Sequence, residues 1–387
     1  MADSNAQPLN QVQMGAIVVA VIGVVITAIG ALSDVDHFFQ IYLVAFFFWT
    51  EIALGCLAFL MIQNHVKGEW GFAIQRILAA GARTLPLIAV LFVPVILGLS
   101  RLYPWVTTSP AQAGYMNQGF FLLRSAIYLA IWIGLAYAIT GLSYRNDEAG
   151  DTGIFRRAQS LSSLGLVLFF LTTFFAYIDW MMSLNPEWYS SIFGWLGNSR
   201  QALSAFAFSF LILFLLKDHK PVSDFATKRA RIDLGTLLLV MLMIWAYLSW
   251  IQYFVMWAAN LTSKVVWFDP RLTTSWGGVA RFIAFAHFIP FILLILPGFK
   301  RNMRNVVLVA GGLLVLRLVD VFWFVMPEFL PNFSLRWWDL GVPLAVGGIW
   351  MLVFLWSLRG HDLVPQNDPR LYAVPEESNY DTALPAS

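Results

Sequence analysis

The chain has 387 residues, 59% of them hydrophobic and only 12% charged, with 17 tryptophans; an apolar excess of this size, delivered in long uninterrupted runs, specifies a polytopic helical membrane protein. The net charge of +2 leaves no electrostatic footprint for nucleic acid. A single cysteine, Cys56, excludes an intrachain disulfide and any cysteine-ligated iron–sulfur cluster held by this chain alone.

Residues 1–13 contain no Lys or Arg, and no small-residue cleavage pattern follows the first apolar run. A short N-terminal segment is therefore expected in place of a cleaved signal peptide. Runs of about 17–25 apolar residues then predict ten transmembrane helices. They cover 14–32, 38–62, 85–103, 120–141, 161–183, 201–216, 233–256, 279–299, 304–326 and 340–358. Residues 14–358 form the membrane domain, and 359–387 form a polar, Pro-bearing, acidic tail expected to be extended. Loops 63–84, 143–160, 217–232 and 300–303, with the tail and Arg304, carry 16 of the 24 Lys and Arg. The opposite loops carry Arg200, Lys264, Arg271 and Arg336. The positive-inside rule then places both termini in the cytoplasm, and the SDVDH turn at 33–37 outside it.

Against this apolar background a few polar residues stand out. Glu51 lies at the centre of YLVAFFFWTEIALGCLAFL, about 20 Å into its span and near the bilayer midplane. A carboxylate there costs on the order of 3 kcal/mol or more, so Glu51 is expected to face protein, inside the first bundle, either as a structural acid or as the inner step of a proton path. Arg317 and Asp320 are three residues apart, share a helix face and pair, at minimum structurally. Arg101, Arg124 and Arg281 fall at outer helix ends, where snorkelling competes with pairing inside a polar cavity, and Asp179 and Asp320 fall in the outer half as well, shallower than Glu51. His287 is the one histidine of five within a span, so bis-histidine haem ligation within the membrane is excluded. The turn Asp34, Asp36 and His37 is a candidate for a quinol hydroxyl, or simply a solvated turn.

Weaker features have structural readings. Pro86, Pro94, Pro290 and Pro343 predict helix kinks, and Gly311–Gly312 and Gly347–Gly348 predict close helix approach. IWAYLSWIQYFVMW reads as packing surface in preference to a cofactor box. No P-loop, nucleotide fingerprint or clear internal repeat is visible.

Several stretches together resemble one family, the smaller of the two ten-helix integral subunits of bacterial alternative complex III, a quinol:cytochrome c or quinol:blue-copper-protein oxidoreductase. They are FFQIYLVAFFFWTEIALGCLAFL, RTLPLIAVLFVPVILGLSRLYPW, YIDWMMSLNPEWYSSIFGW, WAYLSWIQYFVMWAANL and AFAHFIPFILLILPGFKRNMRNVVLVAGGLLVLRLVDVFWFVMPEF, in that order over about 38–330. The combination carries the resemblance; no single motif does. It implies an all-α, NrfD/PsrC-like fold, similar to the membrane anchors of polysulfide and nitrite reductases. Two four-helix bundles, at about 38–183 and 201–326, would be flanked by spans one and ten. It also implies no haem or cluster on this chain, a larger homologous subunit carrying the quinol (menaquinol) site, and an iron–sulfur protein and multihaem cytochrome c subunits as partners in a bacterial inner membrane. The family's polar residues stand here as Asp179, His287, Arg317 and Asp320. After AANL the family commonly has a proline followed by acidic residues; Thr262, Ser263 and Lys264 stand here, so no role is carried to them.

Three functions follow as expectations. The first is a cofactor-free subunit of a quinol-oxidising complex that completes its membrane arm and conducts protons through Glu51, Asp179, His287, Arg317 and Asp320, supported by Arg101, Arg124 and Arg281. The second is a scaffold whose polar residues are satisfied pairs, with direct quinol binding as a variant. A secondary transporter is third; the outer-half charge bias and the lack of a visible repeat count against it.

Overall fold

In hydrocarbon every backbone N–H and C=O must find a partner within the protein, and a helix satisfies them all locally. The computed structural model describes residues 6–66, 68–108, 114–261 and 265–370. Thr262, Ser263, Lys264 and the tail beyond Arg370 lie outside the described residues. Among the described residues ten helices are long and apolar enough to cross a membrane: α1 (Leu9–Ser33), α2 (Val35–Gln63), α3 (Trp70–Leu97), α4 (Gln118–Ala149), α5 (Thr152–Leu184), α6 (Phe193–Leu216), α7 (Lys228–Ala259), α8 (Trp276–Ile295), α9 (Met303–Glu328) and α10 (Gly341–Arg359). No strand occurs among the described residues. The protein is an all-α multi-pass membrane protein.

Helix starts are set by side chains that accept from otherwise orphaned N–H groups. Asp34 accepts from His37 N at 3.0 Å to start α2, Asn117 from Phe120 N at 2.9 Å to start α4, and Thr227 from Ala230 N at 3.1 Å to start α7. Between α4 and α5 the chain reverses through Gly150 at φ 59°, a left-handed conformation that glycine adopts without strain, and Asp151 then caps α5.

Several boundaries differ from the sequence expectation: α4 runs to Ala149 and α5 starts at Thr152, so most of the expected loop 143–160 is helical, α7 starts at Lys228, and two further differences matter more. The segment 63–84, expected as a loop, is helical from Glu69 to Ala82 and joins α3. Its basic residues signalled a loop, but they are matched: Arg76 pairs with Asp147, and Arg83 lies over the Tyr137 ring at 4.6 Å. Below it α3 breaks and restarts at Leu85–Leu91 and Val93–Leu97, with Pro86 and Pro94 in the first turns, where a missing N–H costs nothing. Pro343 likewise sits in the first turn of α10, whereas Pro290 lies inside an unbroken α8. The second difference is larger in consequence: α6 begins at Phe193, not at 201, so Arg200 is a residue of a helix interior and not a loop charge.

Helix contacts close two four-membered rings, α2–α3–α4–α5 and α6–α7–α8–α9, while α1 packs on α10. The rings meet where α2 and α6 run side by side and α9 touches α2. α2 and α6 are the most enclosed spans; α1, α7 and α8 are the least. A Cβ on Gly55 of α2 would lie 2.1 Å from the Gln201 carbonyl of α6, which shows how closely the two helices cross. Gly347 and Gly348 serve the same purpose, since a Cβ would meet the Trp49 ring and the Ala20 backbone, but nothing lies within 4 Å of a Cβ on Gly312. The start of the tail, expected to be extended, docks back on the first ring: His361 stacks on Tyr144 at 3.5 Å between centroids, and Arg370 donates to Val66 O at 3.1 Å.

Aligning the rings reveals a repeat that the sequence alone did not make clear. TEIALGCLAF at 50–59 of α2 matches SRQALSAFAF at 199–208 of α6, with four of ten positions identical. Asp179 is followed seven residues later by Pro186-Glu187-Trp188, and Asp320 at the same spacing by Pro327-Glu328-Phe329. The halves therefore correspond α2 to α6 and α5 to α9. The lack of a visible repeat therefore no longer counts against a transporter, though a repeat alone does not make one.

Candidate functional site

The centre of the molecule is a cluster of charges where the rings meet. Glu51 of α2 does not point into the first bundle, as expected, but across to α6: its Oε1 accepts from Arg200 Nε at 3.0 Å. Arg200 Nη1 lies 3.1 Å from Asp320 Oδ2 of α9, and Arg317 Nη1 lies 3.1 Å from the same oxygen, so the expected i,i+3 pair is present within a larger group. Arg317 Nη2 donates to His287 Nε2 of α8 at 2.9 Å. An arginine can only donate, so Nε2 is an acceptor and the proton sits on Nδ1, which donates to Ile283 O at 2.7 Å. His287 is thus the neutral imidazole. The two guanidinium groups are stacked on aromatic faces, Arg200 on Phe324 and Arg317 on Trp245, each at 4.1 Å.

This group is buried, with Glu51 and Arg200 each 1% exposed and Arg317 0%. Two carboxylates face two guanidinium groups beside a neutral histidine, so the cluster sums to zero, which is how charges persist at this depth. Its bonding is incomplete in several places: Arg200 Nη1 and Nη2, Arg317 Nε and Nη1 and Asp320 Oδ2 are close as ion pairs but make no well-formed hydrogen bond. Glu51 Oε2 has no well-formed hydrogen bond, and neither has the Tyr177 hydroxyl of α5 that lies beside the carboxylate. A carboxylate oxygen with spare lone pairs next to a phenol is a place where a proton can reside or pass.

Asp179, expected to act with Asp320, forms a separate and closed site in the first ring. Arg124 Nε donates to its Oδ2 at 2.7 Å and Nη2 to its Oδ1 at 3.0 Å, and the Tyr115 and Tyr128 hydroxyls each donate at 2.8 Å. Both oxygens are doubly bonded, and the Arg124 guanidinium is covered by Tyr115 and Phe120. The depth ordering expected from sequence is corrected accordingly: Asp320 shares the level of Glu51, whereas Asp179 with Arg124 does not belong to that cluster.

The remaining candidates lie near helix ends. Asp34 pairs with Arg336 at 2.8 Å, Asp36 with Arg101, and His37 Nε2 with Asp339 at 2.8 Å, so the turn offered for a quinol hydroxyl is occupied by ion pairs. The His37 amide and then Arg336 hold the Asp34 carboxyl below the usual carboxylate range. Arg101 and Asp36 are exposed. Arg281 is exposed and makes no ion pair among the described residues. Arg271, expected as a loop charge, is fully buried against Glu328 at 2.8 Å and over Trp267 at 3.7 Å, and burial brings its guanidinium down to about 10.

Beside the central cluster, in the second ring, lies a cavity of about 570 Å³ reached by His287, Asp320 and Arg281. One wall comes from IWAYLSWIQYFVMW of α7, expected as packing alone, and the facing wall from α8. Trp245 is buried there, while Trp250 and Trp257 of the same stretch are exposed. No three His, Cys, Asp or Glu side chains converge as a metal site requires among the described residues.

Sequence reasoning missed Arg200 and Tyr177. Arg200 follows the polar, Gly-bearing GWLGNS, which read as a loop, and the signal that would have recovered it is its alignment with Glu51. Comparison with protein-family models and with curated proteins returned no match.

Proposed function

We propose that this chain is a cofactor-free integral subunit of a quinol-oxidising electron-transfer complex of the alternative complex III kind, in which the Glu51 cluster moves protons. On this reading it lies in a bacterial inner membrane with both termini in the cytoplasm. Its partners are a larger homologous quinol-binding subunit, an iron–sulfur protein and multihaem cytochrome c subunits. The resemblance of the five sequence stretches supports the assembly. The observation that carries the proton role is the incomplete bonding of Glu51 Oε2 beside Tyr177. From there hydrogen-bonded or ion-paired groups run through Arg200, Asp320 and Arg317 to His287 at the cavity in the second ring. Asp179, with four donors on its carboxylate, is a fixed element on this reading and not a carrier. Two measurements test it. The chain should co-purify with haem c and iron–sulfur subunits; recovery alone defeats the assignment. In the intact complex reconstituted into vesicles, Glu51→Gln should assemble yet lower the number of protons moved per electron, and an unchanged ratio defeats the relay.

A scaffold role is the second reading, and the charge balance of the cluster favours it. A neutral, buried group of two carboxylates and two guanidinium groups fixes α2, α6 and α9 in register without moving anything.

A further inference from the structure

The cavity in the second ring contains an unbalanced set of hydrogen-bonding groups. Three buried donors that line it have no acceptor: the indole N–H groups of Trp245 and Trp323, and Nε2 of Gln252. Their residues are 5%, 9% and 2% exposed, so bulk water does not supply the missing partners. The Gln252 amide is held in this orientation because its Oε1 accepts from Ser190 Oγ at 2.7 Å, which leaves Nε2 as the free end. One acceptor in the wall, Asp320 Oδ2, makes no hydrogen bond either but lies 3.1 Å from both Arg200 and Arg317, which neutralise it, so donors remain in excess. Buried donors left unpaired are costly, and a site with three free donors and its one unbonded acceptor already ion-paired calls for a ligand rich in acceptors.

The first ring provides an internal control. There the indoles of Trp132 and Trp180 donate to Thr172 at 2.9 Å and Ser125 at 2.8 Å, and the Asp179 carboxylate is closed by its own four donors. The second ring has an open volume and unpaired indoles instead. The cavity's other surfaces are aromatic, and Trp250 of α7 and Phe288 of α8 line it while also being exposed on the outside of the bundle. An occupant would therefore enter from the acyl-chain region of the membrane, and the aromatic walls suit a flat or apolar body.

We propose that this cavity binds the carbonyl-bearing head of a membrane-borne amphiphile, whose oxygens accept from Trp245, Gln252 and Trp323 and whose apolar chain leaves between α7 and α8. A quinone ring and the ester region of a phospholipid share this chemistry. The inference stands apart from the subunit reading, since binding needs neither electron transfer nor a partner.

The test uses the full chain, with whatever subunits accompany it, washed extensively in detergent and extracted for mass spectrometry of quinones and phospholipids. About one amphiphile per chain should be retained. Rebinding of an oxidised short-tailed quinone and of a short-chain phosphatidylglycerol, measured separately by quenching of tryptophan fluorescence, identifies the source. Saturable binding of either supports the proposal. The double variant Q252L/W323F should weaken it at least tenfold. Ala280→Phe, which fills the cavity without deleting a core group, should abolish it while the protein unfolds at an unchanged or higher temperature. No retention and no saturable rebinding of either probe overturns the proposal, as does binding undiminished in a folded Ala280→Phe protein.

Discussion

Glu51 and Arg200 occupy corresponding positions in the two halves of the chain and are bonded to each other at 3.0 Å. A fully buried acid of the first ring is thus neutralised by its own counterpart from the second. Removing one partner leaves the other buried and uncompensated, which typically costs about 3–5 kcal/mol. Glu51→Gln and Arg200→Gln should each lower the unfolding temperature markedly. In the double variant Asp320 keeps Arg317, and charge balance returns. Its loss should fall short of the sum of the single losses by about 0.5–3 kcal/mol in a double-mutant cycle followed by thermal unfolding in detergent.

Asp179 offers a graded comparison. Asp179→Asn leaves Arg124 buried without its carboxylate, and the expected loss is again about 3–5 kcal/mol. Tyr128→Phe removes only one of four donors, for about 1 kcal/mol. Equal losses in the two variants would contradict the bonding described for this site.

Glycine packing separates into two kinds. A Cβ on Gly348 would sit 2.6 Å from the Ala20 backbone, which cannot rotate away. Gly348→Ala should push α1 off α10 and cost about 1–3 kcal/mol. Gly312→Ala meets nothing within 4 Å and should be neutral or stabilise α9 by up to about 1 kcal/mol through helix propensity. Thermal unfolding of both variants decides this.

The docked start of the tail should be sensitive to acid. Burial, then Arg83 and Arg76, lower the affinity of His361 for a proton below its usual 6.5. The undocked segment takes up that proton more readily, so docking is strongest above the ordinary histidine value and weakens as the pH falls below it. Hydrogen exchange of amides 361–370, corrected for intrinsic rates, should be faster at pH 5.5 than at pH 7.5. His361→Phe keeps the stack on Tyr144 and should remove this dependence.

The spans were legible because their length and apolarity exceed anything a globular core requires, and Arg317 with Asp320 because i,i+3 spacing sets both on one face. The start of α6 was not legible. GWLGNSR carries loop-like residues whose partners, Glu51 and Asp320, come from helices 149 and 120 positions away, and a linear reading cannot supply those contacts. Arg76 in α3 was misread for the same reason: its carboxylate, Asp147, is at the far end of α4. The four donors on Asp179 and the unpaired donors of the cavity are likewise properties of convergence, not of any one segment.

The opposite charges at positions 51 and 200 also determine which half recognises which. Two copies of the first half, brought together along this seam, would set carboxylate against carboxylate, and two copies of the second would set guanidinium against guanidinium. Each half therefore rejects its own likeness and accepts the other, so the seam has a polarity. Fragments divided between Asn185 and Ile192 and produced together should sort into unlike pairs, as the two members of a tethered heterodimer would.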